Sequence, residues 1–134
     1  MFSTTIRINF YDADPAGIMF YANIFKAAHT AYEDMLREGN FDRDYFFDED
    51  YAIPILHADV DFHKPIFPGS IVGVEINVST VKESSFELQY NFKNQEGESL
   101  ARLKTVHVFI AKNNWEKTPI PTEFLKYLLT HLIQ

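Results

Sequence analysis

The chain contains no cysteine. That removes disulfides, thiolate metal sites and cysteine nucleophiles, and it suits a reducing compartment. No apolar run approaches the roughly 18 residues of a membrane span. No charged start followed by an apolar run opens the sequence, so a secretory signal is not expected and a cytoplasmic location is. The Gly-x-Ser-x-Gly elbow of serine hydrolases is absent. So is His-Glu-x-x-His, although five histidines are present (His29, His57, His63, His107, His131). No metal and no cofactor are expected. Neither an internal repeat nor a low-complexity segment occurs. Basic residues are the scarcer charge: 12 Lys and Arg stand against 19 Asp and Glu, a formal net charge of −7. A nucleic-acid binder shows a basic stripe, so no such partner is expected. A polyphosphate ligand would need a local basic cluster against the global sign.

What is present fits one domain over residues 1–134. The chain is 46% hydrophobic, enough for a real core without staples. Thirteen Phe and seven Tyr point first to a Phe-rich core and second to an aromatic-lined pocket.

Thr4 to Tyr11 alternates as a strand, with Ile6, Ile8 and Phe10 on one face. Asp12 to Gly17 carries turn chemistry. A helix follows over 22–38, with Ile24, Phe25, Ala28, Ala31, Tyr32, Met35 and Leu36 at three- and four-residue spacing. Its alanines predict close approach to a sheet. Gly39-Asn40 supplies a left-handed stop. The acidic, aromatic stretch Phe41–Tyr51 reads as a solvated connection with some buried rings. Four strands then follow, around Ala58–Phe62, Val72–Val78, Phe86–Phe92 and Ala101–Ala111. Short connections at Lys82–Ser85 and Asn94–Gly97 make them antiparallel. The first three each present one apolar face. The last is apolar on both, which predicts a central or partner-covered strand. An amphipathic helix over 122–133 closes the chain. The expected class is α+β, an antiparallel sheet covering the Ala-rich helix.

Two constellations carry possible chemistry. His57-x-Asp59-x-Asp61-x-His63 lies on one strand face at about 6–7 Å intervals, and its reading is a polar exterior face. Asp14 is the stronger candidate. An Asp in such a turn commonly shapes the turn or caps a helix. Here Pro15 fixes one dihedral and Gly17 opens backbone space closed to other residues. The chain then enters a helix whose first N–H groups lack internal partners and can polarise a carbonyl oxygen.

The run Asp14-Pro15-Ala16-Gly17-Ile18, then Phe20-Tyr21, Asn23 and the helix, resembles the 4-hydroxybenzoyl-CoA thioesterase family of hotdog-fold proteins. Phe62, Lys64-Pro65, Gly69 and Pro119–Glu123 extend the resemblance over essentially the whole chain. The resemblance implies a five-stranded antiparallel sheet wrapped around a long central helix, with a short C-terminal helix. It implies an acyl-CoA substrate and homodimers, often paired into homotetramers, with sites between subunits. Asp14 would act on the thioester carbonyl as nucleophile or general base, and the Tyr21 backbone N–H would bind the carbonyl oxygen. Gly17 and Ile18 would border the substrate, His29 and Tyr32 would approach the acyl group, and Lys64 would meet CoA phosphates. Tyr21 stands where some short-chain relatives carry His, which favours an aromatic acyl group. His29-Thr30-Ala31-Tyr32-Glu33 looks like relatives acting on 1,4-dihydroxy-2-naphthoyl-CoA. Gly69-Ser70 replaces a common Gly-Asp. Three alternatives stay open: an acyl-carrier-protein or short-chain thioesterase, a hotdog dehydratase using His29 as acid/base, and a non-catalytic acyl-binding module.

Overall fold

The computed structural model describes residues 1–133. Strand β1 (Phe2–Arg7) leads through a 3-10 turn at Phe10–Asp12 into the long helix α1 (Asn23–Glu38). After a short β2 (Tyr51–Ala52) come β3 (Ile55–Phe62), β4 (Ile71–Val81), β5 (Ser85–Lys93) and β6 (Ser99–Val108). Two-residue strands β7 (Ile110–Ala111) and β8 (Glu116–Lys117) precede α2 (Thr122–Thr130). The main sheet has the order β1-β4-β5-β6-β3, with every pair antiparallel. This is the expected α+β hotdog class. The second sheet, β2-β7-β8, was not expected.

The core lies between the sheet and α1. Val72, Val74, Ile76 and Val78 of β4 and Phe86, Leu88, Tyr90 and Phe92 of β5 all turn inward and are buried. They meet Ile24, Ala27, Ala28, Ala31, Tyr32, Met35 and Leu36 of α1. The stripe is the expected one, its three alanines included, except that Phe25 is only half-buried. At one end, Phe41, Tyr45, Phe86, Phe109 and Phe124 form a ring cluster with centroids 4.9–6.3 Å apart. The Phe-rich core is therefore real. Helix α2 is pinned to the end of α1 by the Tyr127 hydroxyl, which donates to the Met35 carbonyl at 2.8 Å.

Several expectations are corrected. Strand β1 ends at Arg7 because the Asn9 N–H donates to the Asp12 carboxylate at 3.1 Å and folds 9–12 into a turn. Asp12 is thus turn structure. The left-handed residue after α1 is Asn40 (φ 48°), while Gly39 stays right-handed at φ −61°. Gly39 is there for space: a Cβ would lie 2.6 Å from the Phe41 ring. The strand expected to reach Ala111 breaks after Val108. The Val108 and Phe109 N–H groups donate to Pro54 and Ser84 carbonyls, so four consecutive residues, His107 to Ile110, become buried. Helix α2 stops at Thr130, and Leu129 is exposed. The 41–51 segment is the expected connection, with the Tyr45 ring buried and Phe41 half-buried. Arg43 grips buried Asp48 at 2.8 and 3.1 Å, and the Asp50 and Tyr51 N–H groups also donate to it. These donors, Arg43 foremost, hold the Asp48 carboxyl below the usual range.

The largest correction concerns β3. Its expected apolar face is uncovered: Ala58 is exposed, Phe62 is 44% exposed, and only Val60 is half-buried. Strand β3 is an edge of the sheet, and no strand among the described residues pairs beyond it.

Candidate active site

The loop from Ala13 to Met19 is a closed hairpin-like turn. Asp14 N–H donates to the Ile18 carbonyl at 2.9 Å, and Gly17 N–H returns to the Asp14 carbonyl at 3.0 Å. Gly17 takes φ 82°, the left-handed region that favours glycine. Asp14 Oδ1 accepts the Ala16 N–H at 2.8 Å. Oδ2 has no hydrogen-bond partner among the described residues, and the side chain is half-buried. One oxygen is fixed while the other is free for chemistry. Ile18 is half-buried beside it.

The turn is locked to its surroundings at both ends. Met19 N–H donates to the Ile66 carbonyl at 2.7 Å and Phe20 N–H to the Asp12 carbonyl at 2.7 Å. The Asn23 side-chain amide also donates to that Asp12 carbonyl, at 2.9 Å. From Phe20 the backbone already winds helically: Asn23 N–H reaches the Phe20 carbonyl at 2.9 Å and Ile24 N–H the Tyr21 carbonyl at 3.3 Å. The first free amide of this turn is that of Tyr21, which finds no acceptor among the described residues. The first turn of α1 holds no acidic residue and no side-chain cap, so its positive dipole end is uncompensated. The Tyr21 ring itself is 64% exposed.

His29 and Tyr32 lie one turn apart on α1. The His29 imidazole is half-exposed, 3.8 Å from Glu33. It stacks on Tyr32 (5.5 Å, 15°), Tyr32 on His107 (4.5 Å, 8°) and His107 on Phe86 (4.9 Å, 2°). Tyr32 is 4% exposed, so its ring is a wall under His29. His107 received no role in the sequence reading, although its place on the inward face of β6 was a usable signal. Its Nε2 lies 2.8 Å from Thr105 Oγ1, itself 2.9 Å from the Tyr90 hydroxyl. Burial, with a smaller contribution from His29, pushes its pKa down to about 3. A neutral, sequestered His107 is no proton donor near pH 7. That weakens a dehydratase, which would rest on half-exposed His29 alone.

Lys64 caps a groove of about 530 Å³ lined by Ile66, Phe67, Ile71, Asn94 and Leu100. The size suits a small-molecule ligand, and Ile66 ties the groove to the Asp14 loop. Lys64 is ion-paired with Glu98, so its charge is already compensated. His57, Asp59, Asp61 and His63 are exposed, His57 on Asp59 at 2.7 Å and His63 on Ser99 at 3.0 Å. They form the expected polar exterior.

The sequence profile of the thioesterase-like superfamily matches residues 8–128, from the end of β1 into α2. The chain belongs to that superfamily. A 1,4-dihydroxy-2-naphthoyl-CoA hydrolase of Acaryochloris marina is 34% identical over 131 residues, covering 96% of this chain and 94% of its own. Its namesake from Gloeothece citriformis is 34% identical over 127 residues, covering 92% and 87%. Among solved structures, a 1,4-dihydroxy-2-naphthoyl-CoA thioesterase from Synechocystis superposes with TM-score 0.88 at 26% identity, covering 96% and 95%. A gentisyl-coenzyme A thioesterase reaches 0.84 at 27%, covering 94% and 98%. The hotdog thioesterase fold and the resemblance read from the Asp14 motif therefore hold.

Proposed function

We propose that this protein hydrolyses an aromatic acyl-CoA thioester to the free acid and CoA, with Asp14 acting on the carbonyl. The observation that carries this is the pairing of a half-engaged Asp14 carboxylate with the unpartnered Tyr21 N–H at an uncompensated helix start. The relatives named for naphthoyl and gentisyl thioesters support the aromatic acyl class.

In the general-base form, Asp14 Oδ2 takes a proton from water as its oxygen bonds to the thioester carbon. The carbonyl π electrons move to oxygen, and the Tyr21 N–H and helix dipole stabilise that oxyanion. Collapse breaks the C–S bond, and the thiolate leaves with the proton returned by Asp14. In the nucleophilic form, Oδ2 itself bonds to carbon, collapse breaks the C–S bond and releases the CoA thiolate, and water later hydrolyses the mixed anhydride, freeing the acid and restoring Asp14. Gly17 and Ile18 border the reacting carbonyl. His29, backed by Tyr32, faces the acyl ring, and the groove capped by Lys64 takes the pantetheine arm. The cysteine-free chain suits the cytoplasm, the compartment proposed.

The active unit proposed is a homodimer, or two such dimers joined. Strand β3 offers an unpaired backbone edge and exposed Ile55, Leu56 and Phe62. Edges of this kind are covered in native assemblies, and two β3 strands related by a two-fold axis would cover each other. Sedimentation equilibrium at micromolar concentration is expected to give a dimer or larger. A monomer there contradicts the assembly.

Purified protein assayed against benzoyl, naphthoyl, short-chain and long-chain acyl-CoAs is expected to favour the aryl thioesters by tenfold or more in kcat/KM. A preference for alkyl thioesters would reject the aryl assignment. Inactivity across the panel would favour an acyl-binding module.

A further inference from the structure

A polar network crosses the apolar core between the sheet and α1. Thr105 and His107 are buried on β6, paired with Leu88 and Phe86 of β5. The Tyr90 hydroxyl lies 2.9 Å from Thr105 Oγ1, and Thr105 Oγ1 lies 2.8 Å from His107 Nε2. Tyr90 makes no other side-chain hydrogen bond among the described residues, and His107 Nδ1 is buried without a partner. The network therefore has a preferred direction. If Tyr90 donates to Thr105 and Thr105 donates to Nε2, both hydroxyl protons are used and the imidazole proton sits on Nδ1. The reverse order leaves the Tyr90 O–H and a bare Nδ1 both idle, and idle buried polar groups cost stability. His107 is thus held through Nε2 in one tautomer and one orientation.

The rings stacked on His107 lack such an anchor. In the column His29–Tyr32–His107–Phe86, each neighbouring pair is within 15° of parallel. The Tyr32 hydroxyl makes no hydrogen bond among the described residues, so packing alone sets the plane of its ring. His29 reaches Glu33 only at 3.8 Å, beyond hydrogen-bond distance. One face of the His29 imidazole lies on Tyr32, and no ring among the described residues covers the other. The plane of that open face is set from inside the core, by His107 through Tyr32. A phenylalanine at 107 would fill the same space with no polar atom to satisfy, so packing by itself does not call for the network.

We propose that His107 is a positioning residue for acyl selectivity: anchored through Thr105 to Tyr90, it holds Tyr32 and His29 in one plane, and a flat acyl group continues the column on the open face of His29. This rests on the reading above that His29 faces the acyl group of the thioester. An aryl ring gains a stacked partner there. An alkyl chain gains a contact that does not depend on the plane of the imidazole. Loosening His107 therefore weakens aryl substrates selectively. The loss falls on KM, because the stack is the same in the bound substrate and in the transition state.

The test replaces the middle of the network. Thr105→Val removes the hydroxyl at nearly constant volume, and Thr105→Ser keeps it. With naphthoyl-CoA and hexanoyl-CoA as paired substrates, Thr105→Val is expected to lower the aryl-to-alkyl ratio of kcat/KM by about five- to tenfold, within the range one aromatic pair supplies, through a higher KM for naphthoyl-CoA. Thr105→Ser is expected to keep the ratio within about twofold of the wild type. His107→Phe retains a ring but no nitrogen to anchor it. It is expected to lose the ratio as Thr105→Val does, and it decides the outcome if circular dichroism shows that Thr105→Val does not fold. Nitrogen-15 NMR of the wild type is expected to place the His107 proton on Nδ1, and the His29 ring signals are expected to shift in Thr105→Val. An unchanged ratio, an equal loss on both substrates, full retention by His107→Phe, a His107 proton on Nε2 or unmoved His29 signals would overturn the positioning role. Failure of the wild type to hydrolyse either thioester would instead overturn the thioesterase reading, and the NMR signals would still judge the column.

Discussion

Asp14→Asn is expected to lower kcat for an aryl-CoA by about a thousandfold, within the range a positioned acid-base group supplies. Asparagine keeps the side-chain carbonyl that accepts the Ala16 N–H, now at 2.8 Å, so the turn is retained. It cannot take a proton from water or attack carbon. KM is expected to move little, because the substrate contacts proposed lie on other residues. Loss of kcat with KM held is the pattern of an interaction made in the transition state. The thermal midpoint should stay near that of the wild type, since the change is surface-proximal and isosteric. Stopped-flow thiol release and a melting curve on the same preparation check both halves. A folded variant with near-normal kcat would remove Asp14 from the mechanism.

Phe124→Ala is expected to destabilise the fold by about 3–5 kcal/mol, the usual cost of emptying a large aromatic site in a core. Phe124 is fully buried. Its ring stacks on Phe41 at 5.0 Å and meets Tyr45 at 5.1 Å, Phe86 at 5.4 Å and Phe109 at 4.9 Å. The removed ring therefore leaves a cavity bordered by four others, from three separate parts of the chain. Against a typical total of about 5–15 kcal/mol, that is a large fraction. Urea unfolding should show a much lower midpoint at an unchanged slope. A loss under about 1 kcal/mol would mean that the cluster collapses into the space and is not a rigid keystone. The same experiment bears on function, because α2 anchors the end of α1 through Tyr127.

Periodicity carried most of the fold. Alternation in Val72–Val78 and Phe86–Phe92 and the three-four spacing of α1 each survive in the structure, because those residues bury one face against this same chain. The pattern failed where burial depends on something else. Strand β3 alternates properly, yet its apolar side faces outward, since alternation reports a face meant for cover without saying what covers it. Strands β2, β7 and β8 are two residues each, too short for any period to register. Gly39 looks like a conformational residue, yet the Phe41 ring demands it for space, a contact that local sequence does not reveal.

The site was legible to a different degree. Asp-Pro and Gly announced a turn, and Gly17 has the positive φ that its chemistry permits. The helix beginning near Phe20 made the Tyr21 amide a natural donor. Asp14 stands out over Asp12 through Pro15, Gly17 and the helix that follows, and the family motif adds a role for it; Asp12 is tied into its own turn by the Asn9 N–H. The resemblance singles out Lys64 as a surface cation for CoA phosphates, and its neighbour in space is Glu98, contributed by the distant β5–β6 connection.

The most direct measurement is release of the CoA thiol from 1,4-dihydroxy-2-naphthoyl-CoA by the wild-type chain and Asp14→Asn, side by side. The expected wild-type turnover lies in the ordinary enzyme range of about 1–10³ s⁻¹, with the variant about a thousandfold slower. Wild-type release no faster than buffer, or equal rates from the two proteins, would contradict the account.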